Sequence, residues 1–443
     1  MRVLRARSDP PSVTELLVHG GRILRPDLTV ERADVLADRE TGRILDVGLD
    51  VADAPDGRLD ASDSLVVPGL VNAHTHVAMT LLRGYADDKP LQSWLREDIW
   101  PVEAELTAGD VYAGARLGLV EMVKSGTTAI SDMYFQMDEV CEAVAEVGAR
   151  ARLGRGAVTV GLDDDEAREE VAATVEAARA LDGRADGRVR GAVCPHSLTT
   201  VDEARLEQAA TGARDAGLPL HYHANETTDE VTPYEERGVR PLAWARDEGL
   251  LEAGDLLAHC VHVDDEEVDL LAETGAAALH CPASNMKLAS GIAPVGRMRD
   301  ADVTVALGTD GPASNNDLDL FDEVRDAAMV GKLKERDATA VPAEATVEMA
   351  TAAGADALGF DAGRIEAGRL ADLAVVDLSA PHLVPDHDLV SHLAYAVRGS
   401  DVRHTVCDGR VLMRDRKLLT VDEEPVVREA RERARALVAR AEG

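Results

Sequence analysis

Two hydrophobic rhythms divide the chain. From residue 13 to 67, apolar residues come in short runs closed by turn residues ("ELLVHGGRIL", "GRILDVGLD", "SLVVPG"), which predicts small strands joined by turns. The same rhythm returns near the other end in "GRLADLAVVDL" and "VRHTVCDGRVLMRD". Between them, "TTAISDM", "RGAVCPHS", "LPLHYHANE", "DLLAHCVHV", "AAALHCPAS" and "VTVALGTDG" read as apolar strands. They are separated by helix-period stretches such as "DEAREEVAATVEAARAL" and "DEARLEQAATGARDAG". Strand-then-helix repeats imply parallel strands with crossover helices, so the expected class is α/β, with a (β/α)8 TIM-like barrel over residues 68–365. Residues 1–67 and 366–443 are expected to meet in a small β-sandwich domain, because chain ends often lie close together. The closing "EEPVVREARERARALVARAEG" reads as an amphipathic surface helix. A doubly wound open sheet fits the same rhythm, but no G-x-G-x-x-G turn supports it.

Composition sharpens this picture in two places. Aromatic content is 3%, so a core must be built from Ala, Val and Leu. The formal net charge is -35, from 82 acidic against 47 basic residues, and only six of the basic ones are Lys. Such a surface repels nucleic acid and anionic membranes, so neither is expected as a partner. An acid-rich, Lys-poor surface also suits a protein kept soluble in concentrated salt, where charge repulsion is screened. The five cysteines are scattered without a C-x-x-C pair, and the N-terminal "MRVLRARSDPPSVTELLV" has no apolar signal region. The expectation is a cytoplasmic homo-oligomer acting on a small molecule.

Chemistry gathers where the predicted strands end, which is where a barrel keeps it. "NAHTH" offers His74 and His76, "CPHS" His196, "HYHANE" His221, His223 and Glu226, "AHCVH" His259 and His262, "ALHCPAS" His280 and "LGTDG" Asp310. Residues i and i+2 of a strand share a face, so His74 and His76 can converge on one ion, yet an isolated pair is more often structural and needs partners. His223 supplies one, with His221 on the same face as a rival. Glu226, three residues on, would lean over the same pocket as an acid or base. Asp310 can bind a divalent ion and take a proton from water. A second metal would call for a bridging group such as a modified Lys; Lys124 and Lys287 do not stand at suitable strand ends, so one metal is expected.

The stretches "PGLVNAHTH", "HYHANET", "AHCVH", "CPASNMKLASGIAPV" and "LGTDGPASNN" resemble the amidohydrolase superfamily, and within it the 5-methylthioadenosine/S-adenosylhomocysteine deaminase family, over about residues 15 to 420. That resemblance implies a distorted (β/α)8 barrel flanked by a β-sandwich from both termini. It implies one Zn2+ per subunit, with Fe2+ or Mn2+ as other divalent candidates, held by His74, His76, His223 and Asp310. Glu226 then looks like the acid that protonates the purine ring, His259 like the residue that orients and helps deprotonate the attacking water, and Asp310 like the relay to departing ammonia. For an adenine nucleoside substrate, Glu103 of "DIWPVEAEL" matches the ribose-hydroxyl position, Arg155 of "LGRGAV" the pocket wall and His196 the nucleoside contact; Glu226 and Asp310 reach the substrate as well. Arg168 matches a second arginine for a homocysteine carboxylate, although "DDDEAR" crowds it with acids. A triazine chlorohydrolase, or a guanine- or cytosine-type deaminase, uses the same ring chemistry and is the alternative. A noncatalytic barrel would be expected to have lost ligands, and none is missing.

Overall fold

The computed structural model describes residues 14–52 and 57–443; the N-terminal stretch up to residue 13 lies outside the described residues. The middle of the chain forms parallel strands β1 (Leu70–Thr75), β2 (Thr127–Tyr134), β3 (Arg150–Ala157), β4 (Val189–Gly191, continued by Cys194–Pro195), β5 (His221–Ala224), β6 (Leu256–His259), β7 (Ala277–His280) and β8 (Val305–Leu307). Ladders run β1-β2-β3-β4 and β5-β6-β7-β8. Bridges Val193↔Leu220 and Ser197↔His223 join β4 to β5, and Thr75↔Asp310 joins the last strand to the first, which closes the barrel. Helices such as Asp164–Leu181 and Glu203–Ala216 lie between strands where the helix-period stretches predicted them.

Closure depends on a close approach at the seam. A Cβ on Gly308 would fall 2.7 Å from the carbonyl oxygen of His74 and 2.8 Å from its nitrogen, so only glycine lets the β8 end reach β1. Asp310 N–H then donates to His74 O at 3.0 Å, and Asn72 Nδ2 donates to Thr309 Oγ1 at 2.7 Å.

Both ends of the chain do meet. Ser64–Pro68 pairs antiparallel with Leu373–Asp377 in a sheet that also holds Arg22–Leu24, Val30–Arg32, Val402–Cys407, Arg410–Arg414 and Lys417–Leu418. A second sheet holds Glu15–His19, Asp34–Asp38, Ile44–Gly48 and Arg58–Asp60. Leu16, Val18, Val35 and Ile44 of one face Ile23, Val66, Leu373 and Val375 of the other in one buried cluster, so this is a sandwich without a single aromatic among those contacts. The passage from sandwich to barrel takes the single residue Gly69, where a Cβ would sit 2.2 Å from Thr128 Oγ1. A buried ion cluster ties the two units: Arg150 of β3 donates to Asp372 at 2.9 and 3.1 Å and to Asp408 at 3.0 Å.

The C-terminal helix Glu423–Ala441 is more firmly docked than a surface cap. Val426, Ala430 and Leu437 are buried, and Arg440 donates to the fully buried Asp110 at 2.5 Å, the same carboxylate that caps the helix Ala108–Lys124. No helix of the described residues is long and apolar enough to cross a membrane.

Candidate active site at the carboxyl ends of the barrel strands

His74 is the penultimate residue of β1 and His76 follows the strand, His223 lies on β5, and Asp310 stands three residues past β8. One ligand atom from each of these four residues lies within 4.8 Å of the others. The hydrogen bonds around them dictate tautomers. His76 Nδ1 donates to Met133 O at 2.5 Å and His223 Nδ1 donates to His196 O at 2.8 Å. In the neutral rings both Nε2 atoms therefore carry lone pairs, and they face each other at 3.3 Å. His74 Nε2 is buried without a hydrogen-bond partner, 3.5 Å from Asp310 Oδ1, and His76 Nε2 is 3.2 Å from the same oxygen. Converging lone pairs and one carboxylate in a buried place fit a divalent cation that takes nitrogen and oxygen ligands.

The supporting residues agree with that assignment. Ser284 and Ser314 donate to Asp310 Oδ2 at 2.7 and 2.8 Å, turning Oδ1 toward the imidazoles. Asp310 itself sits at φ 58°, a left-handed backbone that also recurs at Asn225, His259 and Cys260, so strand ends around the site are held in conformations L residues rarely adopt. Burial pushes the Asp310 carboxyl up, but His74 and His76 overcome this and hold it well below the usual range. Burial holds His74 down to about 3; it also opposes charge on His76, yet the Asp310 carboxylate raises His76 to about 9. The cluster thus stabilises one positive charge strongly.

His221, the rival ligand, lies behind the cluster. Its Nε2 is 2.9 Å from His74 Nδ1 and its Nδ1 is 3.2 Å from Ser131 Oγ, so it orients His74 and is outside the converging set. Burial keeps it neutral, well below the ordinary imidazole range. Lys124 and Lys287 are committed to Glu423 and Asp87, and β4 ends in Cys194–Pro195, so no lysine bridges a second ion here.

A cavity of about 630 Å³ opens on this cluster. Glu226, His259, His196, Glu103, His223 and Asp310 all line it. Glu226 accepts from Ser290 Oγ at 3.0 Å, and burial followed by the Asp310 charge raises its carboxyl to about 8. His259 Nε2 lies 3.6 Å from Glu226 Oε2, while Asn285 Nδ2 donates to His259 Nδ1 at 2.9 Å. Glu103 accepts from Tyr134 Oη at 2.5 Å and is raised to about 7 by burial, which outweighs that bond. His196 is held neutral, lowered to about 4 by burial, with Thr200 Oγ1 at 2.9 Å.

Two arginines do not join the others. Arg155 is not part of the lining: on β3 its neighbour Gly156 faces the cavity, and strand alternation turns Arg155 toward the helix layer, where it pairs with Glu170 at 2.7 Å. Arg168 is 53% exposed on the helix Asp164–Leu181 and pairs with Asp165 at 2.8 Å, also outside the lining. In the other direction, Ser284, Asn285, Ser290, Ser314, Tyr134 and Glu230 were not singled out from sequence. Four of them stand inside stretches quoted above, but a serine or asparagine in a one-turn helix or a loop carries no periodicity to mark it.

A closed parallel barrel with a buried three-histidine, one-aspartate cluster at the strand ends is the architecture of a metal-dependent hydrolase. The amidohydrolase family model matches residues 65–412, and the chain belongs to that family. A protein of Haloarcula marismortui named 5-methylthioadenosine/S-adenosylhomocysteine deaminase is 64% identical over 430 residues, 97% of this chain and 100% of that protein. A 5'-deoxyadenosine deaminase of Methanosarcina mazei is 44% identical over 90% of this chain and 93% of its own. Among solved structures, an adenosine deaminase from Xanthomonas campestris with bound zinc superposes with a TM-score of 0.89 at 36% identity, covering 97% of this chain and 100% of that one.

Proposed function

We propose that the protein hydrolytically deaminates an adenine nucleoside, 5'-methylthioadenosine, S-adenosylhomocysteine or 5'-deoxyadenosine, to the inosine analogue and ammonia. The observation that carries it is Glu226. A carboxyl raised to about 8 holds its proton at neutral pH, and it lines the same cavity as His76, His223 and Asp310, where a ring nitrogen must be protonated before water can add to the neighbouring carbon. A zinc ion on His74, His76, His223 and Asp310, when bound, supplies water acidic enough to attack at neutral pH.

The remaining steps belong to the chain's side chains. Glu226 gives its proton to N1 of the adenine, leaving C6 electron-poor. Asp310, anionic and fixed by its two serines, takes one proton of the attacking water and passes it to the exocyclic amino group, which leaves as ammonia; as the C6 carbonyl forms, its hydroxyl proton returns to Glu226 and restores the acid. His259 receives a hydrogen bond at Nδ1 from Asn285, so its hydrogen is on Nε2, facing Glu226 and the cavity. In that tautomer it donates to the attacking oxygen and orients it; proton removal falls to Asp310 alone, which narrows the role expected for His259. Glu103, raised and tied to Tyr134, binds the ribose hydroxyls in this reading, and His196, in the same cavity lining, contacts the nucleoside.

The test is an ultraviolet assay of zinc-loaded protein with methylthioadenosine, S-adenosylhomocysteine, 5'-deoxyadenosine and adenosine. Conversion of the adenine to the hypoxanthine spectrum with at least one is expected; no change with any of the four refutes the proposal.

A further inference from the structure

Glu323 lies wholly buried on the helix Leu320–Glu335, outside the cavity lining. Burial pushes its carboxyl well above the usual range, and no lysine or arginine among the described residues pairs with it. A buried acid without a cation costs the fold more than an apolar side chain of its size, so its use lies in its hydrogen bonds. Its two oxygens hold two different short helices. Oε2 accepts the N–H of Ala283 at 3.1 Å, at the start of the helix Pro282–Lys287, where the preceding Cys281 makes no capping bond. Oε1 accepts Asn315 Nδ2 at 2.6 Å, at the end of the helix Pro312–Asn315, and the same Nδ2 donates to Thr309 O at 2.8 Å, one residue before Asp310. Helices this short do not hold their shape unaided, so a partner outside them sets where they sit. These two carry Ser284 and Ser314, the donors to Asp310 Oδ2, and Asn285, the donor to His259 Nδ1.

We propose that Glu323 is a positioning residue: from the helix layer it fixes both short helices at once, and through their Ser284, Ser314 and Asn285 it aims Asp310 and holds His259 in its tautomer. This rests on the deaminase reading above, in which Asp310 moves a proton and His259 orients the attacking oxygen. Lys287 spans the same two helices nearer solvent, donating to Asn316 Oδ1 at 2.5 Å and Ala313 O at 3.3 Å, so losing the Glu323 clamp loosens the site without dispersing it.

The test compares zinc-loaded wild type, Glu323→Gln, Asn315→Ala and Val324→Ala, the last at a buried core position next to Glu323 on the same helix. The readouts are kcat and KM for methylthioadenosine, the rate at which zinc passes to a chelator, and the thermal midpoint. In Glu323→Gln the amide keeps one acceptor and turns its N–H toward another donor. It is expected to lower kcat about tenfold with KM within about twofold, and to speed zinc release about threefold or more; Asn315→Ala should move both in the same direction. Val324→Ala should lower the midpoint while kcat and zinc release stay within about twofold of wild type. Wild-type kcat or wild-type zinc release in Glu323→Gln overturns the proposal. So does a Val324→Ala that loses as much kcat as Glu323→Gln, because damage to the helix alone would then suffice. Should Glu323→Gln not fold, Asn315→Ala decides by the same two readouts. A wild type that turns over none of the four nucleosides overturns the deaminase reading instead, and zinc release alone then decides the role of Glu323.

Discussion

Ser290→Ala should move the basic limb of the pH profile to higher pH without dismantling the site. Ser290 Oγ donates to Glu226 Oε1 at 3.0 Å, and that bond favours the ionised carboxylate, partly opposing the burial and the Asp310 charge that raise Glu226 to about 8. The Ser290 backbone is held independently, its N–H by Asn285 O at 2.9 Å and its carbonyl by His262 Nε2 at 2.7 Å, so removing the hydroxyl leaves the loop in place. A hydrogen bond to a buried charged group contributes about 1.5 kcal/mol, which corresponds to about one pH unit. If Glu226 must be protonated to react, kcat/KM falls as pH rises through its pKa, and in Ser290→Ala the fall begins about one unit later. The sign extends to stability. Glu226 is raised from 4.5 to about 8, so within that window the folded chain holds a proton that the unfolded chain has released, and stability declines as pH rises through it. Ser290→Ala should extend that decline further toward alkaline pH. The assay is kcat/KM against pH between about 6 and 10 for both proteins, spanning Glu226's pKa on either side. A limb that stays in place or moves toward acid in the variant would mean that Glu226 is not the group being titrated.

Three further outcomes are expected. Glu226→Gln and His259→Ala should keep stoichiometric zinc by metal analysis while losing at least about a hundredfold in kcat, whereas Asp310→Ala should lose zinc as well; zinc-free Glu226→Gln would mean the roles are misassigned. Asp372→Ala takes two of the three carboxylate bonds from the Arg150 guanidinium, 4% exposed, leaving it Asp408, and should cost about 3 kcal/mol in urea unfolding; an unchanged midpoint would show that the ion cluster does not join sandwich to barrel. With a net charge of -35, stability should rise between low and molar KCl as repulsion is screened, and equal unfolding midpoints in both would count against a surface built for high salt.

Much of the site was legible because strands impose parity and barrels impose an end. His74, His76, His223 and Asp310 each follow an apolar run, and the barrel brings such positions together whatever the helices between them do. Arg155 shows the limit. Its direction follows from the parity of β3, but in "RARLGRGA" the third arginine falls out of period with the first two and two glycines interrupt the run, so the strand itself does not stand out from the sequence. Arg168 was placed by likeness of motif, and its acidic neighbours turned out to be its partner: Asp165, one helical turn earlier, is where its charge goes. His221 against His223 could not be separated by spacing, because both lie on one strand face; the carbonyl of His196, which fixes the tautomer of His223, belongs to another strand and is invisible along the chain.

The seam of the barrel gives the ligand set an order of assembly. His74 and Asp310 come from opposite ends of the barrel segment, and the strand end that carries Asp310 reaches β1 only where Gly308 lets the backbones touch. A chain still being synthesised therefore owns three imidazoles and no complete claw until its eighth strand has emerged and zipped onto the first. Catalytic competence arrives as the last stitch of the barrel, and an ion gripped there fastens the circle at the place where it would otherwise first come undone.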